Sequence, residues 1–252
     1  MKVALVFSGI LRSLQYTHQN IKDNILKPLQ ESNSVITLYC HNYVLPNNVK
    51  YSNIRNKEKP VTIPEENKLL LPFDYYLEDN QELIKNQLYL PKYRTKGNPW
   101  KKSKDYNTLN NYILSLYSRW KITQLLKEHY QSEKGEFQYD YIIFLRSDVK
   151  FKKELDVTIL KEINTANKCI IPDFHHWLRG YNDRMFISKI DLGLYYGSYF
   201  NQLYDISLKK QLHSETINKY LLNQHKANVI LKPIIFVRVR TNGEIAPLDR
   251  KL

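Results

Sequence analysis

Cysteine is nearly absent from this chain: Cys40 and Cys169 are the only two, each inside an apolar stretch. Such a pair supplies no disulfide framework and no metal-binding spacing, so a reducing compartment, the cytoplasm, is the simplest setting. Long apolar runs are missing as well. No segment approaches the ~20 residues that cross a bilayer, and Ser8, Gly9 and Arg12 interrupt the first apolar stretch before a secretory signal core could form. Residues 2–7 therefore read as a first strand. The glycine-rich phosphate signatures GxGxxG and GxxxxGK[ST] are absent, as are internal repeats and any recognised RNA- or DNA-binding module. Acidic residues are in deficit, 25 Asp and Glu against 38 Lys and Arg. A net charge of +13 favours anionic partners such as nucleotides, acidic glycans, nucleic acid or a lipid surface, and charge alone does not choose among them.

What is present is ordinary globular composition, 42% hydrophobic and 25% charged over 252 residues, enough for one α/β domain carrying an insertion. The organising stretch is YDYIIFLRSDVKF, residues 139–151. Ile142, Ile143, Phe144 and Leu145 suit a strand covered on both faces, which places it at a sheet centre. The run stops at Arg146, Ser147 and Asp148, a cation and a carboxylate two residues apart, where open α/β sheets place their ligand crevice.

Around it, residues 2–7 and the Ser8-Gly9 turn lead into a helix with Leu14, His18, Ile21 and Ile25 on one face. Pro28 should stop that helix near Lys27. The turn lets backbone N–H groups face an anion, and Arg12 adds a planar donor fork. A second strand covers 35–40 and ends in His41 and Asn42. From 43 to about 105, six prolines break every element, so this part reads as an insertion with a short helix near 78–87. Its basic run KYRTKGNPWKKSK, residues 92–104, reads as a solvated loop whose Tyr93 and Trp100 could stack on a glycan or single-stranded nucleic acid.

Leu109, Tyr112, Ile113, Leu116, Tyr117, Trp120 and Leu125 predict a helix over 107–127. Residues 155–163 read as helix and 169–172 as strand, and FHHWLRGYNDR, 174–184, breaks all periodicity. Ser188 and Asp191 have the spacing of a capping box opening a helix. Another helix is expected at 214–223, and strands at 229–231 and 234–239.

ALVFSGILRS, LYSRWK, YDYIIFLRSDV, GYNDRMFIS, the HSE at 213–215 and FVRVRTNGE occur in this order along nearly the whole chain outside the insertion. In these pieces the chain resembles GT-A type glycosyltransferases, and among them a group found in large DNA viruses and in bacterial surface-polysaccharide clusters. If the chain is viral, its setting would be the host cytoplasm. The resemblance implies a Rossmann-like GT-A fold, a mixed and mostly parallel central sheet flanked by helices. It also implies a nucleoside diphosphate sugar as donor, a glycan or other hydroxyl acceptor, and a divalent cation, Mn²⁺ or Mg²⁺.

Asp148 stands where the family's metal ligand follows the central strand, with Arg146 in place of the first Asp of the D-x-D motif. That substitution leaves one metal carboxylate, which would give weak metal binding or a partly arginine-based diphosphate clamp. By the same resemblance, Ser8, Gly9, Arg12, Arg146 and Ser147 would line the nucleotide pocket, with Tyr117, Ser118 and Lys121 at its border. His175, His176 and Trp177 would touch acceptor or sugar. Inverting transfer needs a base, for which Asp183 ranks first and Glu215 second, the latter at a helix start whose dipole would favour its charge.

Two rival readings stand beside this one: a basic nucleic-acid-binding protein, motivated by charge, and a sugar nucleotidyltransferase, which shares the sheet and the metal but has a first loop richer in glycine. The basic surface would also suit a peripheral membrane or acidic-glycan contact.

Overall fold

The computed structural model describes residues 1–46, 51, 60–100, 105–132 and 138–252. The strands are β1 (Lys2–Gly9), β2 (Val35–Val44), β3 (Tyr75–Asn80), β4 (Tyr141–Leu145), β5 (Val149–Phe151), β6 (Lys168–Pro172), β7 (Met185–Ser188), β8 (Asn228–Lys232) and β9 (Phe236–Arg238). One sheet runs in the order β3-β2-β1-β4-β7-β6-β8, and β5 pairs with β9 in a separate ribbon. The first four strands of that order are parallel, as are β6 and β8, and β7 is antiparallel to both its neighbours. This is the expected mixed, mostly parallel central sheet flanked by helices. The helices are α1 (Leu14–Ile21), α2 (Lys27–Glu31), α3 (Gln81–Leu88), α4 (Asn107–Gln131), α5 (Ile190–Gly197), α6 (Leu203–Lys209) and α7 (Ser214–Gln224).

The apolar run of β4 occupies the sheet centre because both its faces are covered. Ile142 and Phe144 join Ala4, Val6 and Phe186 in a core shared with α4, α5 and α7. Ile143 and Leu145 point the other way, to Val3, Leu5 and Phe7 and to Leu14, Ile21 and Ile25 of the first helix. Each fully buried side chain of this size contributes ~1.5–3 kcal/mol, which is why an uninterrupted apolar pentapeptide sits here and not at an edge. Among the described residues no helix is long and apolar enough to cross a membrane.

Several expectations are corrected. The first helix does not stop near Lys27. A π-helical turn, Lys22–Leu26, shifts the backbone register so that Pro28 falls in the first turn of the next helical segment, Lys27–Glu31, where a missing N–H is tolerated, and Leu29 stays buried. Strand β2 runs on through His41 and Asn42 to Val44. The excursion after it does not stay outside the sheet: Tyr75–Asn80 returns as parallel edge strand β3, and α3 follows, capped by the Asn80 side chain on Glu82 N and Leu83 N.

In the basic run, Tyr93 is buried and so unavailable for stacking on a ligand, and Lys92 and Arg94 lie over the Tyr93 and Tyr106 rings. Residues 101–104 of that run lie outside the described residues. Residues 155–163 hold only a 3₁₀ turn, Val157–Glu162. No capping box opens α5. Ser188 is the last residue of β7, and its hydroxyl donates to the Lys189 carbonyl.

Candidate active site

The chain leaves β1 toward β2 and β3 on one side, then returns to place β4 on the other, so the sheet reverses order between β1 and β4. Crevices form at the carboxyl ends of strands at such a switch point. Gly9 ends β1 with φ of 100°, a conformation that needs glycine, and its N–H donates to Ser118 Oγ at 2.7 Å. Ser118 also meets His41 Nδ1 at 2.8 Å, and His41 Nε2 lies 3.1 Å from Asp79. This largely buried chain of polar contacts fixes the turn from beneath, using α4, β2 and β3 at once.

Above it, Asp148 is almost wholly buried. Its Oδ1 accepts from Arg146 Nε at 2.8 Å, and its Oδ2 accepts from Arg146 Nη2 at 2.6 Å and from Arg12 Nη2 at 2.9 Å. Arg12 also donates to the Tyr51 hydroxyl. Thr17 Oγ1 donates to the Ser147 carbonyl at 2.6 Å, and Val239 N donates to the Asp148 carbonyl, which pins the residues after β4 to α1 and β9. Burial would raise the Asp148 carboxyl, but Arg146 and Arg12 outweigh it and hold the group well below the usual carboxylate range.

A divalent cation needs carboxylate oxygens that face it. Those of Asp148 face two guanidiniums, and among the described residues no group of three or more His, Cys, Asp or Glu side chains gathers to hold a metal. The residues present do not fit a cation held by Asp148.

A second polar cluster adjoins the first because β7 lies antiparallel beside β4. Arg146 N donates to the Arg184 carbonyl at 3.1 Å, so Arg184 sits next to the end of the central strand. Its guanidinium lies between two carboxyls, Nη1 at 3.4 Å from Asp183 Oδ1 and Nη2 at 3.5 Å from Glu215 Oε1. Two features bring this irregular segment onto the start of α7. Gly180 passes so near Glu215 that an added Cβ would stand 2.2 Å from the Glu215 carbonyl carbon, and Tyr181 N donates to the Glu215 carbonyl. Asn182, fully buried, donates to the Phe174 carbonyl and accepts from Arg184 N at 2.9 Å, while Asn218 of α7 donates to the Asn182 carbonyl.

Next to Asp183 is a narrow polar cavity lined also by Tyr112, Arg119, Tyr196, Ser214 and Asn218. Arg119 lies 3.9 Å above the Tyr196 ring, and the buried Arg119 Nε, Arg184 Nε and Tyr199 hydroxyl have no hydrogen-bond partner. Buried donors left open in this way are costly unless a ligand or water satisfies them.

The two carboxyls differ. Burial opposes the charge of Asp183, but Arg184 and Arg146 hold its carboxyl below the ordinary value. Burial and then repulsion from Asp183 raise Glu215 to about 7. The expectation that a helix start would favour the Glu215 charge is thereby reversed: desolvation and a like charge outweigh the ~0.3–1 kcal/mol of a helix dipole.

Between pH ~4.5 and 7 the folded state holds the Glu215 proton more tightly than the unfolded chain does, so stability falls as pH rises through that window. Comparing thermal unfolding at pH 5 and pH 8, Glu215→Gln should gain about 2 to 3 kcal/mol relative to wild type. A gap that does not change with pH would show that Glu215 does not titrate there.

Of the residues predicted from sequence, Arg12, Arg146, Ser147, Asp148, Asp183 and Glu215 are brought together around the ends of β4 and β7, with Ser8 and Gly9 at the neighbouring end of β1. Ser118 is buried beneath the turn. Tyr117 packs edge-on against Phe200, and Lys121 is near enough to His41 to disfavour its charge. His175 lies 3.5 Å from Asp249, near the carboxyl terminus, and burial lowers it to about 4, so its ring is neutral at physiological pH. His176 accepts from Asn182 N, and Trp177 is exposed. Arg119 and Asn218 escaped the sequence reading. Arg119 sits on the α4 face whose spacing signals core, and only its charge within that apolar stripe could have drawn attention to it.

The fold and site define an α/β protein with an arginine-rich, anion-attracting crevice and a buried carboxyl pair beside it. No protein-family model matches the chain, and no curated protein matches it. Among solved structures, the apo form of mouse xyloside xylosyltransferase 1 is similar at a TM-score of 0.44 and 13% identity, covering 92% of this chain and 85% of that one.

Proposed function

We propose that the protein is a glycosyltransferase that moves a sugar from a nucleoside diphosphate donor to the hydroxyl of a glycan or another acceptor. The observation that carries this reading is the convergence at one switch point of Arg12 and Arg146 with the Asp183–Glu215 pair. A nucleotide sugar brings a diphosphate and an electrophilic anomeric carbon. The crevice offers guanidiniums to the first, and a carboxylate to take the proton of the acceptor hydroxyl that attacks the second.

In this reading Arg12 and Arg146 bind the diphosphate across the Ser8-Gly9 turn, with Ser147 at the same rim. Ser118 holds the turn, and Tyr117 and Lys121 flank it from α4. Asp183, ionised and facing the cavity, takes the acceptor proton. Glu215, protonated near neutral pH, keeps a second negative charge out of the site. Trp177, exposed on the 174–184 segment, contacts acceptor or sugar, while His175 and His176 hold that segment in place.

The test is a thermal shift series with UDP, GDP, ADP, CDP and TDP, followed by incubation with the matching nucleotide sugars. At ~100-fold excess over Kd, one of them should stabilise the fold by about 2.7 kcal/mol, a rise in Tm of roughly 5 °C or more. The matching sugar nucleotide should then release its diphosphate in the presence of a hydroxyl acceptor. No shift with any of the five would reject the reading.

A further inference from the structure

We infer that this crevice clamps the donor diphosphate with arginines alone and works without a divalent cation, in contrast to what the resemblance implies. The inference rests on the proposed function and concerns how that site meets the charge of its substrate. Around Asp148 two guanidiniums oppose a single carboxylate, so the cluster carries net positive charge before any ligand arrives. Asp148 Oδ2 already accepts two charged hydrogen bonds and Oδ1 accepts one, all between 2.6 and 2.9 Å, and the side chain is only 4% exposed.

A cation reaching that carboxylate would have to displace at least one guanidinium and would meet the repulsion of both. The position that would supply a second carboxylate, two residues before Asp148, is itself the cation Arg146. Glu215 is turned onto Arg184, and Asp183, which lies between Arg184 and the cavity, is part of a separate cluster with no third carboxyl, His or Cys gathered around it among the described residues.

The same arrangement suits an anion. Arg146 keeps 37% of its side chain exposed while its Nε and Nη2 hold Asp148, and Arg12, 13% exposed, is held by Asp148 and the Tyr51 hydroxyl, so both guanidiniums have their orientation fixed from behind. In transfer, the bond from the anomeric carbon to the diphosphate oxygen breaks and its electron pair stays on the diphosphate. The acceptor oxygen forms the new bond to carbon, and its proton passes to the Asp183 carboxylate. The guanidiniums meet the negative charge that develops on the departing diphosphate, the part a metal ion plays elsewhere. Asp148 is then a positioning residue that aims Arg12 and Arg146.

Calorimetry with UDP, GDP, ADP, CDP and TDP, each in EDTA and each in millimolar Mn²⁺, on the wild-type protein and on Arg146→Ala, tests this. For the nucleotide that binds, the Kd in EDTA should lie within about twofold of that in Mn²⁺, and Arg146→Ala should raise it about 10- to 150-fold in EDTA. Binding that is tenfold or more tighter with Mn²⁺, or an Arg146→Ala Kd equal to wild type, overturns the inference and leaves the proposed transferase standing. No binding of any of the five in either condition overturns both.

Discussion

Asp183→Asn should leave donor affinity unchanged and lower turnover by about 10² to 10⁴, the usual worth of a general base. The substitution keeps the side chain's size and its place between Arg184 and the cavity, and removes only the charge that accepts a proton. Glu215→Gln should cost less, because Glu215 is turned inward onto Arg184, Ser214 and His213 and already holds a proton near pH 7. A pH profile separates the two. With Asp183 neutralised, the repulsion that helps to raise Glu215 is gone, so any limb of the profile near pH 7 should move to lower pH. The reverse ranking in steady-state rates would assign the base to Glu215. A small loss in both would point to transfer without a protein base, as in a retaining mechanism.

Asp148→Asn should destabilise the fold by about 3 kcal/mol, measured by urea unfolding at neutral pH. Removing one partner of a buried ion pair costs roughly 3 to 5 kcal/mol because the surviving charge is stranded. Here two guanidiniums would be stranded, but Arg146 keeps access to water, which places the figure at the low end. The sign with pH follows from the depressed carboxyl. Its contribution is fully present above the unfolded value near 3.9 and is lost as pH falls through the much lower folded value, so the variant and wild type should converge in acid. A loss below about 1 kcal/mol would show that solvent screens these pairs, as it does ordinary surface pairs. The role of Asp148 would then lie in chemistry and not in holding the crevice.

What the sequence determined by itself was whatever depends on near neighbours along the chain. Ile142 to Leu145 had to be a central strand because no edge position hides both faces of such a run. The 3.6-residue spacing from Leu109 onward had to be a helix, and the broken pattern around Asp183 had to be irregular backbone. The order of motifs around these elements led to the mixed, mostly parallel sheet.

Tertiary structure decided what depends on partners far away in sequence. A six-residue polar strand such as Tyr75–Asn80 has no periodicity strong enough to announce itself, and it becomes a strand only because β2 offers an open parallel edge. Arg12 meets Asp148 across 136 positions, and that meeting gives the carboxylate expected as a metal ligand a second guanidinium partner. Gly180 lies against Glu215 across the chain, and the resulting burial beside Asp183 raises a carboxyl that its helix position alone would have lowered. Charge state and ligand preference follow from desolvation and from which charges end up within a few ångströms, and a linear sequence carries neither distance.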